Sequence, residues 1–235
     1  AVGPDPGSAR RAPVVKQLLA LTGDGYAPGV RALAFRLLSL IAGDDAVAAI
    51  ARSIRHRDLR EEVVFCLERI PGGAAIQALL GAYRDAPEDF QPRLLAAFGH
   101  RRAAEALPVV VEAMRSPNRE LALAAMKAYG RIGRKPAAAP RLPDPAGLSD
   151  LQRMEHLDSQ LRWADAQAAA GNGAEAMQVY QAALARPEEH FQCAAIIGIA
   201  RLGTPEAATV IFPKLRSDNR TVRFTARNAW QAMAR

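Results

Sequence analysis

The sequence predicts an all-α protein, a right-handed α-α superhelix in which pairs of helices stack on one another. Three observations support this fold class: one helical pattern returns six times, turn residues separate its copies, and alanine and leucine supply most of the apolar side chains. Half of the 235 residues are hydrophobic and 6% are aromatic, a balance that suits helices approaching each other closely. Because each unit of such an array packs only on its neighbours, the chain is expected to form a solenoid.

The repeated pattern is an apolar residue followed, at offsets of four, seven, eight and eleven residues, by small or apolar residues. An α-helix has about 3.6 residues per turn, so these offsets define one stripe along its surface. The copies start about thirty residues apart, with one gap of about seventy, and such a period is typical of helix-pair repeats. Only Arg101, at offset eleven of the third copy, departs from the pattern. The copies begin at Val30, Leu59, Phe90, Leu121, Phe191 and Val222.

Each stripe lies on the second helix of a pair, which we call the B helix, and an A helix is expected before most of the stripes. Glycine, proline, aspartate, asparagine and serine fill the segments between partners, as expected for turns. Pro213 lies inside the last A helix and should kink it, because proline donates no backbone hydrogen bond. The predicted A helices are Val14–Leu21, Ala46–Ile54, Ala74–Tyr83, Ala106–Met114 and Ala207–Leu215.

The segment Lys135–Ser149 interrupts the array with four prolines and no helical period. This composition predicts an extended linker or a surface loop. After it, one helix is predicted from about Asp150 to the turn at Gly171, and a second helix from near Ala174. We therefore expect a helical hairpin between the fourth and fifth copies of the stripe.

The repeats resemble HEAT repeats of the kind found in phycobilisome-lyase-type proteins. Three features carry the resemblance: an aspartate in the turn, a Val-Arg or similar pair at the start of the B helix, and a Leu-Gly-x-Ile-Gly type of ending. They occur at Asp58, Leu59, Arg60 and Ile70, at residues 129–133 (YGRIG), and at Asp218, Val222, Arg223 and Ala226. Gln91, Ala122 and Gln192 replace the arginine in other copies. The resemblance implies that Arg31, Arg60 and Arg223 bond to turns rather than to a ligand.

The hairpin after the linker resembles a tetratricopeptide motif, although Gln167 stands where that motif has a large aromatic residue. The matching positions are Trp163, Ala164, Gly171, Ala176, Tyr180, Ala183 and Pro187. In this interpretation Gly171 and Ala176 let the two helices cross closely, and Tyr180 fills the groove; an irregular HEAT-like pair is the alternative. The predicted domains are an N-terminal extension (1–12), four HEAT-like repeats (13–133), a Pro-rich linker (134–150), the tetratricopeptide-like hairpin (151–187) and HEAT-like C-terminal repeats (188–235).

The sequence contains no catalytic motif, so we expect no catalytic residues, no metal site and no cofactor. The four histidines belong to four separate units and are not expected to share a metal site. They are His56, His100, His156 and His190. P-loop, dinucleotide-binding, CxxC and nucleophile-elbow motifs are absent from the sequence. Trp163 and Trp230 are expected to be buried by packing. We therefore predict that the protein is not an enzyme.

The charge balance leaves the class of partner open. The net charge is +7 and the isoelectric point is near 10.0, as in proteins that bind nucleic acid or an anionic surface. An arginine-rich, alanine-rich proteome gives the same surplus. No apolar run is long enough to cross a bilayer, and Cys66 and Cys193 lie in different repeats, which predicts no disulfide. We expect a cytoplasmic protein, with a periplasmic or secreted one left open.

Offsets two, six and nine lie opposite the buried stripe and should face solvent on the concave side of the solenoid. They carry large apolar residues with cations and anions in equal number, which favours a non-enzymatic scaffold that binds a protein or peptide. A nucleic-acid groove would have Arg or Lys in successive repeats, and nucleic acid is the alternative partner. Packing against the helices of 150–187, or a stripe rotated by one residue, would also explain these side chains. The candidate partner-binding residues are Arg36, Glu61, Phe65, Glu68, Leu123, Lys127, Ile197, Phe224, Asn228 and Gln231.

The C-terminal repeat has no obvious polar cap in the sequence, since Trp230 and Met233 fall near its edge. A terminal repeat normally needs a polar outer face. We therefore expect either a longer array or dimerisation at this end.

Overall fold

The computed structural model describes residues 11–134 and 148–234, and every regular element within these ranges is helical. The prediction of an all-α fold is confirmed. The chain forms two compact units, the first ending at Val109 and the second beginning at Val110. Most of the predicted N-terminal extension and of the predicted linker lies outside the described residues, and the bounds of the five predicted domains stay predictions.

The described part of the first unit contains three helix pairs in the predicted order of A and B helices. These are α1 (Arg11–Leu21), α2 (Pro28–Ile41), α3 (Asp44–Ala51), α4 (Arg60–Arg69), α5 (Gly73–Asp85) and α6 (Gln91–His100). The B helices are α2, α4 and α6. Helix α2 packs against α1 and α4, and α4 packs against α5 and α6. A further helix, α7 (Leu107–Ala113), contains the boundary between the units.

The second unit contains the predicted hairpin and the last B helices. Its helices are α8 (Arg119–Ile132), α9 (Asp150–Ala169), α10 (Gly173–Leu184), α11 (Glu189–Leu202), α12 (Pro205–Ile211) and α13 (Arg220–Met233). Helix α9 packs against α8, α10 and α11, and α11 packs against α13. The α-helix α12 ends at Ile211 and Phe212–Arg216 continues as a 3-10 helix, because Pro213 cannot donate the next α-helical hydrogen bond.

The predicted stripe forms the core of both units. Every residue at offset four is buried, and each fully buried large aliphatic side chain contributes roughly 2 kcal/mol of hydrophobic stabilisation. The offset-four residues are Ala34, Val63, Leu94, Ala125, Ala195 and Ala226. Small residues dominate this position, so neighbouring helices can approach closely.

The first copy of the stripe departs from the prediction at two positions, because Val30 and Leu37 are exposed rather than buried. Phe35, at offset five, is buried, and so are Val64 and Leu95 at that offset in the next two copies. The buried face of α2 therefore has the same phase as theirs, and a one-residue rotation does not explain the difference. Helix α2 packs against α1 and α4 within its unit, and among the described residues no B helix precedes it to cover Val30 and Leu37.

Arg101 occupies a core position because it caps a neighbouring helix. Its guanidinium group donates hydrogen bonds to the backbone carbonyls of Leu67 (2.9 Å), Glu68 (3.0 Å), Ile70 and Gly72 (2.7 Å). These carbonyls lie at or just beyond the end of α4, where helix geometry leaves acceptors without partners. Burial lowers the pKa of Arg101.

The arginines of the Val-Arg or similar pair at the start of the B helices bond to turns, as predicted. The Arg31 side chain donates to the carbonyl of Thr22 at 3.0 Å and pairs with Asp24 at 2.8 Å. Arg223 donates to the carbonyls of Ser217 and Asp218. In the second repeat, Arg60 instead reaches the next turn, where it lies 3.6 Å from Asp89 and 4.1 Å from the centre of the Phe90 ring.

Helices α8 and α9 cross closely because glycine lies at their contact. A Cβ atom on Gly130 would overlap the carbonyl oxygen of Ser159, and one on Gly133 would overlap the side chain of Ala166. Gln167 is buried, and its side-chain amide donates to the carbonyl of Gly133 at 2.8 Å. Glutamine at the expected aromatic position is therefore explained by this hydrogen bond.

The role predicted for Gly171 needs correction. Gly171 has no neighbour near its Cβ position and has a positive φ of 85°, so it forms the turn between α9 and α10 rather than their crossing. Tyr180 is fully buried and its ring lies over Gly198 of α11. Its hydroxyl donates to Asp165 at 2.6 Å, and burial, the main cause, raises its pKa.

Both tryptophans make packing contacts, as predicted. Trp163 stacks on Tyr129, with 6.1 Å between ring centres, and Trp230 packs on Phe212 at 5.7 Å. Each is partly buried rather than fully buried.

Candidate partner-binding surface

Nine of the ten candidate residues are at least partly exposed, and Leu123 is the exception. Leu123 is only 8% exposed. It lies on α8, which packs against α9 as well as forming part of the core. The exposure predicted for Leu123 was therefore wrong, and its burial agrees with the alternative that candidate residues pack against the helices of 150–187.

In the first unit, the candidates Glu61 and Glu68 belong to a network of ion pairs between α4 and α6. Arg93 lies 3.0 Å from Glu61 and 3.0 Å from Glu68, and His100 lies 2.7 Å from Glu68. Such pairs between neighbouring helices contribute little net stability when exposed. Arg93 offsets part of the negative charge of the two glutamates.

Phe65 and Arg36 complete the candidate residues of the first unit. Phe65 is 40% exposed and the guanidinium group of Arg69 lies 5.4 Å from the centre of its ring. Arg36 is exposed and lies 3.8 Å from Glu62. One large apolar side chain is therefore available to solvent among paired charges.

In the second unit, Ile197 and Phe224 lie on the packed helices α11 and α13, and both are exposed. Phe224 is 65% exposed. The next residue, Thr225, has its hydroxyl 3.4 Å from the Cys193 sulfur on α11, so this part of α13 lies beside the turn of α11 that precedes Ile197. Asn228 and Gln231 are exposed at four and seven residues after Phe224, a spacing that places them on the same side of α13.

A cavity of about 400 Å³ opens between α8, α9 and α11 of the same unit. Leu151 and Met154 on its rim are exposed, although they are large and apolar. His190 lines the cavity seven residues before Ile197, so both lie on one side of α11. The lining residues are Lys127, Arg131, Leu151, Met154, Glu155, Asp158, Ser159, Arg162, His190 and Phe191.

Among the residues that line this cavity, only Lys127 was predicted from the sequence. Leu151 and Met154 are three residues apart, which places them on one face of α9. Because α9 has no copy of the repeated stripe, the repeat pattern does not predict their place at a binding surface. The charged groups here are paired: Lys127 with Glu155, and Arg162 with Asp158 at 2.7 Å. Burial, followed by the neighbouring Arg131, lowers the pKa of Lys127.

Three structural findings bear on other classes of site. Among the described residues no group of three or more His, Cys, Asp and Glu side chains is arranged to hold a metal ion. Cys66 and Cys193 are free, and burial raises the pKa of Cys66 to about 12, so its thiol stays protonated at neutral pH. None of the described helices is long and apolar enough to cross a membrane.

The architecture defines a helical-repeat solenoid, and the fold similarity to one solved structure supports this class. No protein-family model matches the sequence, and no curated protein sequence is significantly similar to it. Human deoxyhypusine hydroxylase in complex with glycerol is 19% identical, with a TM-score of 0.50 over 97% of this chain and 98% of that chain. A designed armadillo repeat protein is 15% identical, with a TM-score of 0.37 over 93% and 99%. An engineered protein is 16% identical, with a TM-score of 0.40 over 94% and 78%.

These comparisons correct one prediction and confirm only the general part of another. Human deoxyhypusine hydroxylase is an enzyme with HEAT repeats and shares the fold of this chain, so the prediction that the chain is not an enzyme, drawn from its repeats and missing motifs, is wrong. The helical-repeat class is confirmed, whereas the phycobilisome-lyase type of HEAT repeat stays a prediction.

Proposed function

We propose that the chain binds a protein or peptide partner through a surface of its second unit formed by α8, α9, α11 and α13. We call this surface the partner face and define it by Lys127, Leu151, Met154, Ile197, Phe224, Asn228 and Gln231. One observation carries the proposal: the second unit exposes Ile197 and Phe224 on the neighbouring helices α11 and α13, and Leu151 and Met154 at a cavity that α11 also lines. Exposed large apolar residues beside a cavity are typical of the anchors of protein interfaces.

The charges of the partner face favour a protein over a nucleic acid. Lys127 and Arg162 each pair with a carboxylate on α9, so their charges are partly neutralised. Nucleic-acid affinity depends on cations that neutralise phosphates and release counterions. Apolar anchors surrounded by balanced polar groups instead match the composition of protein interfaces.

The second part of the proposal is a binding region in the first unit, formed by Arg36, Glu61, Phe65 and Glu68. The exposed Phe65 ring supports it, because an aromatic side chain can bury a large area against a partner. The ion pairs of Glu61 and Glu68 hold the surrounding side chains in place. We expect this region to contribute less affinity than the partner face, since it exposes one large apolar residue rather than four.

Selection from a displayed library of random peptides tests the proposal with a defined probe. We expect selected peptides to contain large apolar residues and to lose on the order of tenfold in affinity when Ile197 is replaced by Ser. The matched control is Tyr26→Ser, which removes a similarly exposed large side chain from the first unit. Peptides that bind both variants as they bind the unmodified chain would show that the partner face is not their site.

A titration with duplex DNA tests the alternative partner. We expect weak binding that competes poorly with the selected peptides. A tight complex whose affinity falls about a thousandfold between roughly 50 and 200 mM salt would indicate several phosphate contacts. That result would favour nucleic acid and contradict the proposed class of partner.

A further inference from the structure

Helix α2 exposes four aliphatic side chains along one face. Val30, Leu33, Leu37 and Leu40 are each between 41% and 56% exposed. Their spacing of three, four and three residues matches the a and d positions of a heptad, the pattern of helices that pair along a seam. We call these four residues the α2 stripe.

The other B helices of the first unit show what this face normally contacts. The residue that corresponds to Leu33 is Glu62 in α4, and it pairs with Arg36 of the preceding B helix. The corresponding residue in α6 is Arg93, which pairs with Glu61 and Glu68 of α4. The α2 stripe is therefore the side on which a neighbouring helix packs, and the described residues leave it uncovered.

The chemistry of the stripe selects its occupant. In α2 and α4, the side that contacts the next B helix carries charges such as Arg36, Glu61 and Glu68. A covering helix with such a side would place charges against the aliphatic side chains of the α2 stripe, which is costly without partners. An aliphatic stripe of the same spacing is complementary in both chemistry and register. We propose that α2 is the interface between two copies of this chain, whose stripes pack against each other.

The size of this face indicates a reversible dimer. A helix of 14 residues is about 21 Å long, and at about 10 Å wide it presents a face of roughly 200 Å² in projection. Stable complexes bury about 800 Å² per partner, so the expected dimer is weak and depends on concentration.

The α2 stripe also revises the expectation about the ends of the array. Trp230 and Met233, expected at an uncovered C-terminal edge, are partly buried against the core of the second unit. Arg227, Asn228 and Gln231 are exposed on α13 and give it polar groups. A continuous aliphatic stripe is found on α2 instead, so we place the dimer contact there.

Sedimentation velocity of the full chain over a range of concentrations tests the proposal. We expect a monomer–dimer equilibrium that Leu33→Glu and Leu37→Glu each weaken by tenfold or more, because a buried carboxylate has no partner in the seam. Phe224→Glu, a matched control in the second unit, should leave the equilibrium unchanged. A monomer at every concentration, or equal loss in the control, would overturn the proposal.

Oxidative cross-linking provides a second readout that does not depend on the stability of a Glu variant. In a Cys193→Ser background, Leu37→Cys should form a disulfide-linked dimer, while the equally exposed control Ile197→Cys should not. Cross-linking at Ile197 alone would place the contact on the second unit and contradict the proposal. Loss of a selected peptide's binding in Leu37→Glu would also contradict the proposal, since α2 would then be a peptide site.

Discussion

At the scale of single residues, hydrogen bonds explain why Arg101 occupies a position of the stripe that is otherwise apolar or small. Arg101 satisfies four backbone carbonyls at and beyond the end of α4, and hydrogen bonds from a charged group are worth more than those between neutral groups. Its planar guanidinium group can donate in several directions at once. The position therefore requires arginine rather than an apolar residue of the stripe.

Replacement of Arg101 tests this role. We expect Arg101→Met to lower the free energy of unfolding by about 2–3 kcal/mol, because the carbonyls lose their donors while much of the side-chain volume is kept. Arg101→Lys should recover only part of the loss, since an ammonium group lacks the guanidinium fork. Chemical denaturation measures both values. Arg101→Met as stable as the exposed control Arg102→Met would contradict the capping role.

Three phenylalanines test the assignment of buried and exposed positions. Phe98 is fully buried, so Phe98→Ala should cost about 3–5 kcal/mol through lost burial and a cavity. Phe224→Ala should cost well under 1 kcal/mol, as expected for an exposed position. Phe65→Ala should fall between them because its ring is partly covered. Equal destabilisation by all three, measured by thermal or chemical unfolding, would contradict these helix orientations.

At the scale of helices, the contact of α8 with α9 determines the shape of the candidate cavity. Gly130 permits the close approach, and the Lys127–Glu155 ion pair lies at the same contact. His156 is buried on α9, and its Nε2 lies 2.8 Å from the Gln160 amide. A small change in this contact should alter both the stability of the unit and the cavity beside it.

Substitution of Gly130 tests the close packing of α8 and α9. The new methyl group in Gly130→Ala would overlap the Ser159 backbone, so we expect a loss of about 1–3 kcal/mol from overpacking. Gly81→Ala is the matched control within a helix, because its Cβ position is open. The control should be neutral or stabilising by up to about 1 kcal/mol. Equal effects in urea denaturation would show that the helices are not closely packed at Gly130.

The buried His156 predicts a dependence of stability on pH. Burial lowers the pKa of His156 below its ordinary 6.5, so below that pH the unfolded chain takes up a proton that the folded chain resists. The free energy of unfolding should therefore fall as pH decreases from about 7 to 5, by at most about 1.4 kcal/mol per pH unit. His156→Gln should reduce this slope, and exposed His190→Gln should not. Equal slopes in all three proteins would contradict a buried neutral His156.

At the scale of the whole molecule, periodic features could be predicted from the sequence and contacts between dissimilar helices could not. The stripe located the B helices because burial repeats with helical geometry, and Val63 and Leu94 are buried as expected. Leu123 was misplaced because its neighbour α9 has no repeat signature. The exposure of Val30 and Leu37 could not be predicted from the stripe, because it results from the position of α2, which no B helix precedes among the described residues.

The same contrast between periodic helices and contacts of dissimilar helices applies to the candidate surface. Ile197 and Phe224 were found because they interrupt the polar side of a periodic helix. Leu151 and Met154 were missed, since only the packing of α9 against α8 and α11 brings them to the cavity. Catalysis could not be excluded from repeats or missing motifs, because an enzyme shares this fold.

The central claim is that Phe224 and its neighbours on the partner face bind a protein segment. Calorimetric titration of a library-selected peptide into the unmodified chain, Phe224→Ala and Phe212→Ala tests it most directly. Phe212 is the matched control, an exposed phenylalanine of the same unit that packs on Trp230. We predict that Phe224→Ala weakens binding by about 2 kcal/mol, near thirtyfold, while Phe212→Ala changes it by less than about twofold. Equal affinity in all three proteins, or greater loss in Phe212→Ala, would contradict the claim.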